Sequence, residues 1–418
     1  MMTDISSRKL NWFGSLPPGW QSRKIKFACQ LRVQQSSNVD SYLGLEDLVS
    51  YGGLSDQWDP DKAKLSTGNG NLALPGDVVF SKLRVYLAKG LVVCRPLRCT
   101  TELIILNPVG VIAEYLNWIL KSEAFISYLD TASYGTKMPR ISPKFLLESA
   151  IPIPPVDEQQ KISSLIGCKA TKLSGLIEKL QREVELLERY RRELIAHTVT
   201  HGLDPDVPMR DSGIDWIGKI PSHWKTASIS TITDENKVKN SDLSEKNLLS
   251  LSYGKIIRKD IDIAFGLLPA SFDAYQVLEN GYIVLRMTDL QNDKRSLRSA
   301  ISKEKGIITG AYIGLKTRSS ISPDYLAWLL RFYDLAKVFY SLGGGVRQSA
   351  NYKEIGKIAA LVPPLDEQEG IANFLNKKST EVDLTISSIN KQIELLDKYR
   401  KQVINYVVTG KVCVEGTE

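Results

Sequence analysis

Few residues of this sequence have the types and spacing of a catalytic site. His197 and His201 stand four residues apart, which could hold zinc, but a third ligand and the glutamate of a metalloprotease are both missing. Glu235 could belong to a nuclease-type acidic triad, yet nothing fixes the earlier acid. No GxxxxGK(S/T) phosphate loop occurs. The sequence therefore predicts a chain that binds and does not itself make or break bonds, with no metal site.

Two segments of the first half carry residue types that suit a nucleic-acid surface. Lys82, Arg84 and Tyr86 recur at alternate positions, which on a strand would place them on one face. Cationic side chains there can bind phosphate or guanine edges while Tyr packs or stacks; a solvated edge strand is the alternative. In 133–140 a glycine loop permits close backbone approach to a phosphate, with a flexible turn as the alternative. Its candidate residues are Gly135, Thr136, Lys137 and Arg140.

A matching glycine loop lies in the second half, at 342–349. Cationic and amide side chains follow its glycines, and such side chains can read base edges. The candidate DNA-binding residues of this half are Arg286, Gly344, Arg347, Gln348, Asn351 and Tyr352.

The candidate residues lie in a chain whose two halves are an internal repeat. The hexapeptide at 154–159, Pro-Pro-Val-Asp-Glu-Gln, recurs as Pro-Pro-Leu-Asp-Glu-Gln at 363–368, an offset of 363 − 154 = 209. A Trp-flanked opening at 12–20 recurs at 216–224. Each half also contains a turn that leads into a buried strand and a short amphipathic helix. Each half is therefore predicted to be an α+β globule closed by a long helix.

The long helices are expected from about Asp157 to Thr200 and from about Asp366 to Thr409. Apolar residues recur at alternating steps of four and three, a heptad seam that needs a partner stripe. Because the second globule is inserted between the two helices, and domain termini are usually close together, the helices are predicted to pair as an antiparallel intramolecular coiled coil. The predicted seam residues are Leu173, Ile177, Leu180, Val184, Leu187, Leu194, Val382, Ile386, Ile389, Ile393, Leu396 and Val403.

Arg191 and Arg400 occupy equivalent seam positions in the two helices. Each guanidinium either reaches solvent past the edge of the seam, or fixes the register by pairing with an acidic residue such as Glu188 or Asp397, or contacts a bound partner.

Bulk composition limits the class of protein. The 418 residues are 43% hydrophobic and 24% charged, as in globular proteins of two or more domains. The net charge of +7 is compatible with a nucleic-acid partner. The N-terminus lacks a signal-peptide core and no apolar run is long enough to span a bilayer, so we expect a cytoplasmic protein without a membrane segment.

The order and duplication of these motifs resemble the specificity subunit of Type I restriction-modification systems. The resemblance rests on the two Trp-flanked openings, the glycine loops, both Pro-Pro-x-Asp-Glu-Gln motifs and the linker at 201–216. It implies two pseudo-symmetric target-recognition domains separated by the antiparallel helices, each reading one half of a bipartite site in double-stranded DNA. It also implies two methyltransferase subunits and translocase-nuclease (restriction) subunits as partners. S-adenosylmethionine, ATP and Mg²⁺ are expected in those partners and no cofactor in this chain.

The predicted domain boundaries follow the repeat. The recognition domains are 1–154 and 216–363, the helices 155–201 and 364–411, the linker 202–215 and the tail 412–418. The globules differ from each other in sequence, which fits two different half-sites. Two other functions stay open: a coiled-coil adaptor that organises protein partners without reading DNA, and, less favoured by the residues, a self-sufficient nuclease.

Overall fold

The computed structural model describes residues 12–36, 39, 41–60, 70–259, 271–291, 297–342 and 348–412. The chain forms two compact units: residues 1–181 with 390–418, and residues 182–389. Each unit contains one globule and part of each long helix.

The first unit is built on short strands with helices between them. Its strands are β1 (Gln21–Lys24), β2 (Cys29–Leu31), β3 (Gln35–Ser36), β4 (Tyr42–Leu43), β5 (Gly70–Ala73), β6 (Val78–Ser81), β7 (Gly90–Val92), β8 (Leu97–Cys99), β9 (Leu103–Pro108) and β10 (Ala150–Ile153). Its helices are α1 (Ile25–Ala28), α2 (Ala113–Leu120), α3 (Glu123–Asp130) and α4 (Pro143–Glu148), followed by the long helix α5 (Val156–His201), which continues into the second unit.

Two four-stranded sheets carry the first globule, in the orders β2-β9-β6-β7 and β3-β5-β8-β4, and β1 pairs with β10. Every residue of β6 is buried, and the positive φ of Gly76 (87°) lets the chain turn just before it. The predicted turn and buried strand are therefore present. Apolar residues of α2 and α3 pack on this sheet in one core with the long helices, which includes Ile162 of α5 and Val407 near the end of the second long helix.

The second unit repeats this plan. Its strands are β11 (Met209–Asp211), β12 (Lys219–Pro221), β13 (Lys225–Ser228), β14 (Thr233–Glu235), β15 (Leu249–Ser252), β16 (Lys255–Arg258), β17 (Gln276–Leu278), β18 (Ile283–Leu285), β19 (Ser299–Ile301), β20 (Gly306–Ile308), β21 (Ile313–Thr317) and β22 (Ala359–Val362). Its helices are α6 (Ile229–Ile232), α7 (Pro323–Leu335), α8 (Tyr352–Ile355) and the long helix α9 (Leu365–Val408). The main sheet has the order β14-β21-β18-β19, which matches β2-β9-β6-β7 strand for strand.

Part of the segment predicted as a linker is ordered in the second unit. Met209–Asp211 forms β11, which pairs antiparallel with β12, and Ile214 packs against the core of this unit. Pro and Gly do exclude a helix there, but they leave room for a short strand. The predicted tail, residues 412–418, lies outside the described residues beyond Val412.

The glutamine of each Pro-Pro-x-Asp-Glu-Gln motif joins a long helix to its globule. Gln159 is buried; its Nε2 donates to the Pro154 carbonyl (2.9 Å) and its Oε1 accepts from Ile112 N–H (2.8 Å). In the second unit, Gln368 Nε2 donates to the Pro363 carbonyl (2.8 Å) and its Oε1 accepts from Ser322 N–H (2.7 Å). The duplicated motif therefore fixes each helix start to the loop before a shorter helix, α2 or α7.

Contacts within each unit show that α5 and α9 are antiparallel. In the first unit, Arg400, late in α9, donates to Oγ of Ser174 in the early half of α5 (3.1 Å). In the second unit, Arg191, late in α5, donates to Oδ1 of Asp383 in the early half of α9 (2.7 Å). The predicted fold class, two α+β domains with an antiparallel intramolecular coiled coil, is confirmed.

All twelve predicted seam residues are buried or half-buried. Leu173, Val382 and Ile389 are the most deeply buried of them. Leucines off the seam, such as Leu186 and Leu395, are exposed. The burial therefore follows the alternating steps of four and three.

Each long helix is followed by a glycine with left-handed backbone. Gly202 has φ +77° and Gly410 has φ +69°, the conformation in which a helix C-terminus is most easily closed by glycine. A Cβ on Gly410 would lie 2.5 Å from Cδ of Pro17, so this position also requires glycine for space.

Candidate DNA interface

The segment after β6 does not continue as a strand. β6 ends at Ser81, Arg84 has a left-handed backbone (φ 50°), and Val85–Leu87 forms a 3-10 turn. The prediction that Lys82, Arg84 and Tyr86 alternate on one strand face is wrong, because Val85 and Ala88 both enter the core and the chain must turn to bury them. Lys82 is half-buried, whereas Arg84 and Tyr86 are exposed.

The glycine loop of the first unit is a closed hairpin. Tyr134 N–H donates to the Arg140 carbonyl and Arg140 N–H donates to the Tyr134 carbonyl, both at 2.9 Å. Gly135 has φ +92°, and a Cβ there would lie 3.3 Å from the Met138 carbonyl oxygen. The side chains of Thr136, Lys137 and Met138 at the tip are exposed. The hairpin is therefore ordered at its base and open to solvent at its tip.

The structure brings the two predicted segments of the first unit together. Arg84 N–H donates to the Pro139 carbonyl (2.7 Å), and Ile141 N–H donates to the Lys82 carbonyl (3.0 Å). A short backbone ladder thus holds the hairpin against the turn that follows β6. The two joined segments form the first surface, whose predicted residues are Lys82, Arg84, Tyr86, Gly135, Thr136 and Lys137.

Arg140, which is half-buried, forms an ion pair beside this surface. Its Nε and Nη2 donate to the two carboxylate oxygens of Glu102 at 3.2 and 3.1 Å. The Glu102 backbone carbonyl also accepts from Lys82 N–H (3.1 Å). A paired guanidinium of this kind positions the hairpin, and its direct DNA role stays a prediction.

The remaining cations of the first surface are Lys82, Arg84 and Lys137. Among the described residues, no carboxylate lies within ion-pair distance of Lys82, Arg84 or Lys137. Three large side chains beside them are strongly exposed: Tyr134 (60%), Met138 (55%) and Tyr86 (46%). Sequence reasoning missed Tyr134 and Met138, although both lie in the glycine-loop segment. Cationic side chains can bind the phosphates of a nucleic acid, while neighbouring apolar and aromatic side chains can contact its bases.

The second unit has the same backbone ladder. Leu290 N–H donates to the Gln348 carbonyl (3.0 Å) and Ala350 N–H donates to the Met287 carbonyl (2.9 Å). These bonds join the turn after β18 to the end of the second glycine loop. The tip itself, with the predicted Gly344 and Arg347, lies in 343–347, outside the described residues.

The other predicted residues of the second unit have structural partners. Gln348 Nε2 donates to the Tyr340 and Leu342 carbonyls at 3.0 and 2.8 Å. The Asn351 side chain caps α8 through Glu354 N–H (3.2 Å). The Tyr352 hydroxyl donates to the Thr233 carbonyl (2.8 Å). Binding of DNA by these three side chains stays a prediction.

Arg286 directly follows β18 and is half-buried. The turn that contains Arg286 is held by a second arginine, Arg298, which the sequence did not identify as a functional residue. Arg298 is fully buried, and its guanidinium donates to the carbonyls of Arg286 (3.1 Å), Thr288 (2.8 Å) and Asp289 (3.1 Å). Its sequence neighbours gave no signal of burial.

A charged network surrounds Arg298. Its backbone N–H donates to Asp334 Oδ2 (2.5 Å), and burial raises the pKa of the Asp334 carboxyl. The network fixes the backbone of the turn in which Asp289 takes a left-handed φ of 58°. The turn that carries Arg286 is therefore preorganised from the core side.

The two histidines that stand four residues apart contact each other. His197 and His201 stack with ring centroids 4.7 Å apart, and burial, followed by the nearby His197, lowers the pKa of His201. Within the described ranges, no three His, Cys, Asp or Glu side chains are grouped so that they could hold a metal ion. In the same part of the chain, no helix is both long and apolar enough to cross a membrane.

No family model matches the chain. The chain is similar in sequence to curated proteins of Methanocaldococcus jannaschii. The Type I restriction enzyme MjaVIII specificity subunit is 24% identical over 317 residues, 72% of this chain and 71% of that protein. The putative type I restriction enzyme MjaX specificity subunit is 23% identical over 313 residues, 72% of this chain and 68% of that protein.

Solved structures share the fold. A chain from a structure on the complex assembly and conformational transition of a type I R-M system has a TM-score of 0.68 at 16% identity, covering 95% of this chain and 100% of that chain. The HsdS subunit from Thermoanaerobacter tengcongensis has a TM-score of 0.51 at 17% identity, covering 95% and 98%. The family that the duplicated motifs resemble is thus also the one that the comparisons find, and that interpretation is confirmed.

Proposed function

We propose that this chain, a homologue of the specificity subunits of Type I restriction enzymes, selects the DNA sequence on which a restriction-modification complex acts. The observation that carries the proposal is the cationic surface of the first unit. Lys82 is half-buried, Arg84 and Lys137 are exposed, and none of the three has a carboxylate partner in the described structure. They lie beside a backbone ladder that is built twice in the chain. Such a surface positions a protein on phosphates and presents side chains to base edges.

The duplication supports a bipartite target. Both units have the same sheet order and the same ladder, but the residues that supply the corresponding ladder carbonyls, Lys82 and Met287, differ, and so do the sequences of the glycine loops. Equivalent scaffolds with different side chains read different sequences, so the two half-sites are expected to differ. Each unit reads one of them.

Catalysis is assigned to partner subunits. Two methyltransferase subunits and the restriction subunits bind S-adenosylmethionine, ATP and Mg²⁺, and this chain scaffolds them. The long helices offer a surface for that task. Leu186 and Tyr190 on α5 and their repeat equivalents Leu395 and Tyr399 on α9 are exposed to between 48% and 53%. A repeated apolar pair suits two copies of one partner.

Methylome sequencing of cells that carry the system, followed by DNA binding with the assembled complex, tests this function. We expect preference for one bipartite sequence and a steep loss of affinity with salt. Replacing Lys82, Arg84 and Lys137 by Ala should make the slope of log K against log salt shallower by about three. Lys144→Ala, at an exposed position of α4, is the control. Binding by the complex that is indifferent to sequence supports the adaptor function; DNA cleavage by the isolated chain with a divalent metal supports the nuclease.

A further inference from the structure

The tip of the first hairpin presents a methionine where solvent-exposed loops usually carry polar residues. Met138 is 55% exposed and is followed by Pro139, whose ring fixes φ and restricts the conformation of the residue before it. Gly135 on the other side of the tip has a left-handed backbone. The four tip residues therefore form a narrow turn with one unbranched apolar side chain in solvent.

The base of this hairpin is held on three sides. The reciprocal bonds of Tyr134 and Arg140 close it, Arg84 N–H binds the Pro139 carbonyl next to Met138, and Glu102 holds the Arg140 guanidinium through two hydrogen bonds. A side chain on such a base loses little backbone freedom when it contacts a partner. Binding through Met138 therefore costs little conformational entropy, because the loop is already ordered.

Charge around the tip selects the kind of partner. Lys137 lies next to Met138 in sequence, and Lys82 and Arg84 lie on the segment to which the hairpin is bonded. Three cations without carboxylate partners in the described structure favour a polyanion and disfavour an apolar protein surface. Met and Pro are among the side chains that proteins insert between base steps while cations hold the flanking phosphates.

We propose that Met138 inserts at a base step of the half-site read by the first unit and partly unstacks it. The inference rests on the proposed DNA-reading function and names a specificity-determining residue for it. Lys82, Arg84 and Lys137 hold the adjacent phosphates. Because pyrimidine–purine steps unstack most easily, the inserted side chain selects such a step through its deformability.

The test uses the complex of this chain with its methyltransferase subunits on duplexes that carry 2-aminopurine at successive positions of the half-site. We expect a position in this half-site where binding raises the fluorescence, and where Met138→Ala abolishes the rise and weakens specific binding about tenfold. Met138→Leu should keep most of the signal, because an unbranched or γ-branched apolar chain still fills the step. Met209→Ala, at another exposed methionine, is the matched control.

Three results overturn the proposal. The first is an unchanged fluorescence profile with Met138→Ala at every position. The second is an affinity loss that deoxyuridine in place of thymine reproduces without any fluorescence change, which would mean contact with a methyl group and no insertion. The third is an equal effect of Met209→Ala. Failure of the proposed function looks different: the wild-type complex then shows no preference for its half-sites, whatever stands at position 138.

Discussion

Arg191 donates from Nη1 to Oδ1 of Asp383 at 2.7 Å, a contact between α5 and α9 within the second unit. Its repeat equivalent, Arg400, meets Ser174 at the position that corresponds to Asp383, and donates instead to Asp397 on its own helix (2.6 Å). Of the predicted acidic partners, Asp397 is present, whereas Glu188 is replaced by Asp383. The two units thus use one arginine position with and without a cross-helix carboxylate.

Replacing Asp383 by Ser gives the second unit the arrangement of the first. The carboxylate also accepts from Lys255 on β16 (3.1 Å), so both contacts are lost. Because Asp383 is 40% exposed, solvent screens the pair, and we expect the free energy of unfolding to fall by about 0.5–1 kcal/mol. Urea denaturation measures this. A loss as large as that caused by leaving a fully buried charge unpaired would contradict the screened geometry.

The reciprocal change, Ser174→Asp, should stabilise the first unit slightly. The Arg400 side chain is only 14% exposed, and among the described residues its Nε has no hydrogen-bond partner, so it has a donor left for a second carboxylate. We expect a gain of at most about 1 kcal/mol in the free energy of unfolding, measured by thermal unfolding. Ser164→Asp, at an exposed position of the same helix, controls for the added charge alone. Equal shifts in both variants would refute the pairing.

The buried glutamines predict a larger effect. Gln159→Leu keeps the volume but leaves Ile112 N–H and the Pro154 carbonyl without their partner, and Gln368→Leu does the same to Ser322 N–H and the Pro363 carbonyl. Each substitution should lower the free energy of unfolding by about 2–3 kcal/mol. Gln160→Leu, the same change at the exposed neighbouring position, should leave the free energy of unfolding nearly unchanged. Chemical denaturation that finds equal losses for the buried glutamines and for the control would contradict the stabilising role of these hydrogen bonds.

Sequence periodicity was sufficient for the long elements and insufficient for the short ones. The heptad steps and end charges predicted α5 and α9 within one or two residues, because helix signals add over many turns. The segment after β6 failed, because three alternating residues cannot show that Val85 and Ala88 both need the core. Local patterns do not say which apolar residue a turn must bury.

Hydrogen-bond partners on different helices and strands could not be predicted from the sequence either. Glu188 was visible as a partner because it stands three residues before Arg191 on one helix, whereas Asp383 is 192 positions away and depends on the register of two helices. Arg298 looked like any surface arginine, since its partners are backbone carbonyls that every residue carries. The candidate surface could be predicted as two segments, but their junction through Arg84 and Pro139 required the fold.

Lys121 predicts a pH-dependent stability of the first unit. It is buried and donates to the Gly52 carbonyl (2.5 Å); burial, with the charge of Arg400 as a smaller cause, lowers its pKa to about 7. The unfolded lysine has a pKa of about 10.4, so above pH 7 the unfolded state binds more protons than the folded state. Stability should therefore rise with pH in this window, by up to about 1.4 kcal/mol per pH unit.

Lys121→Met should remove this rise. The free energy of unfolding, measured between about pH 6 and 8.5, is expected to increase above about pH 7 in the wild-type chain and to stay comparatively flat in the variant. Lys144→Met, at an exposed site, should retain the wild-type slope. A rise that persists in Lys121→Met would assign the pH dependence to another group.

Arg298 predicts an effect confined to one half-site. Arg298→Met keeps a long apolar stem but leaves the carbonyls of Arg286, Thr288 and Asp289 without their buried donor, so we expect a loss of about 3 kcal/mol or more in stability. Arg298→Lys keeps the charge with fewer donors and should be milder. In complexes that still fold, discrimination should weaken at the half-site of the second unit, because its turn is no longer fixed, and stay intact at the other. Competition binding with one mutated half-site at a time measures both; equal weakening at the two half-sites would show that Arg298 acts on overall folding and not on the turn of Arg286.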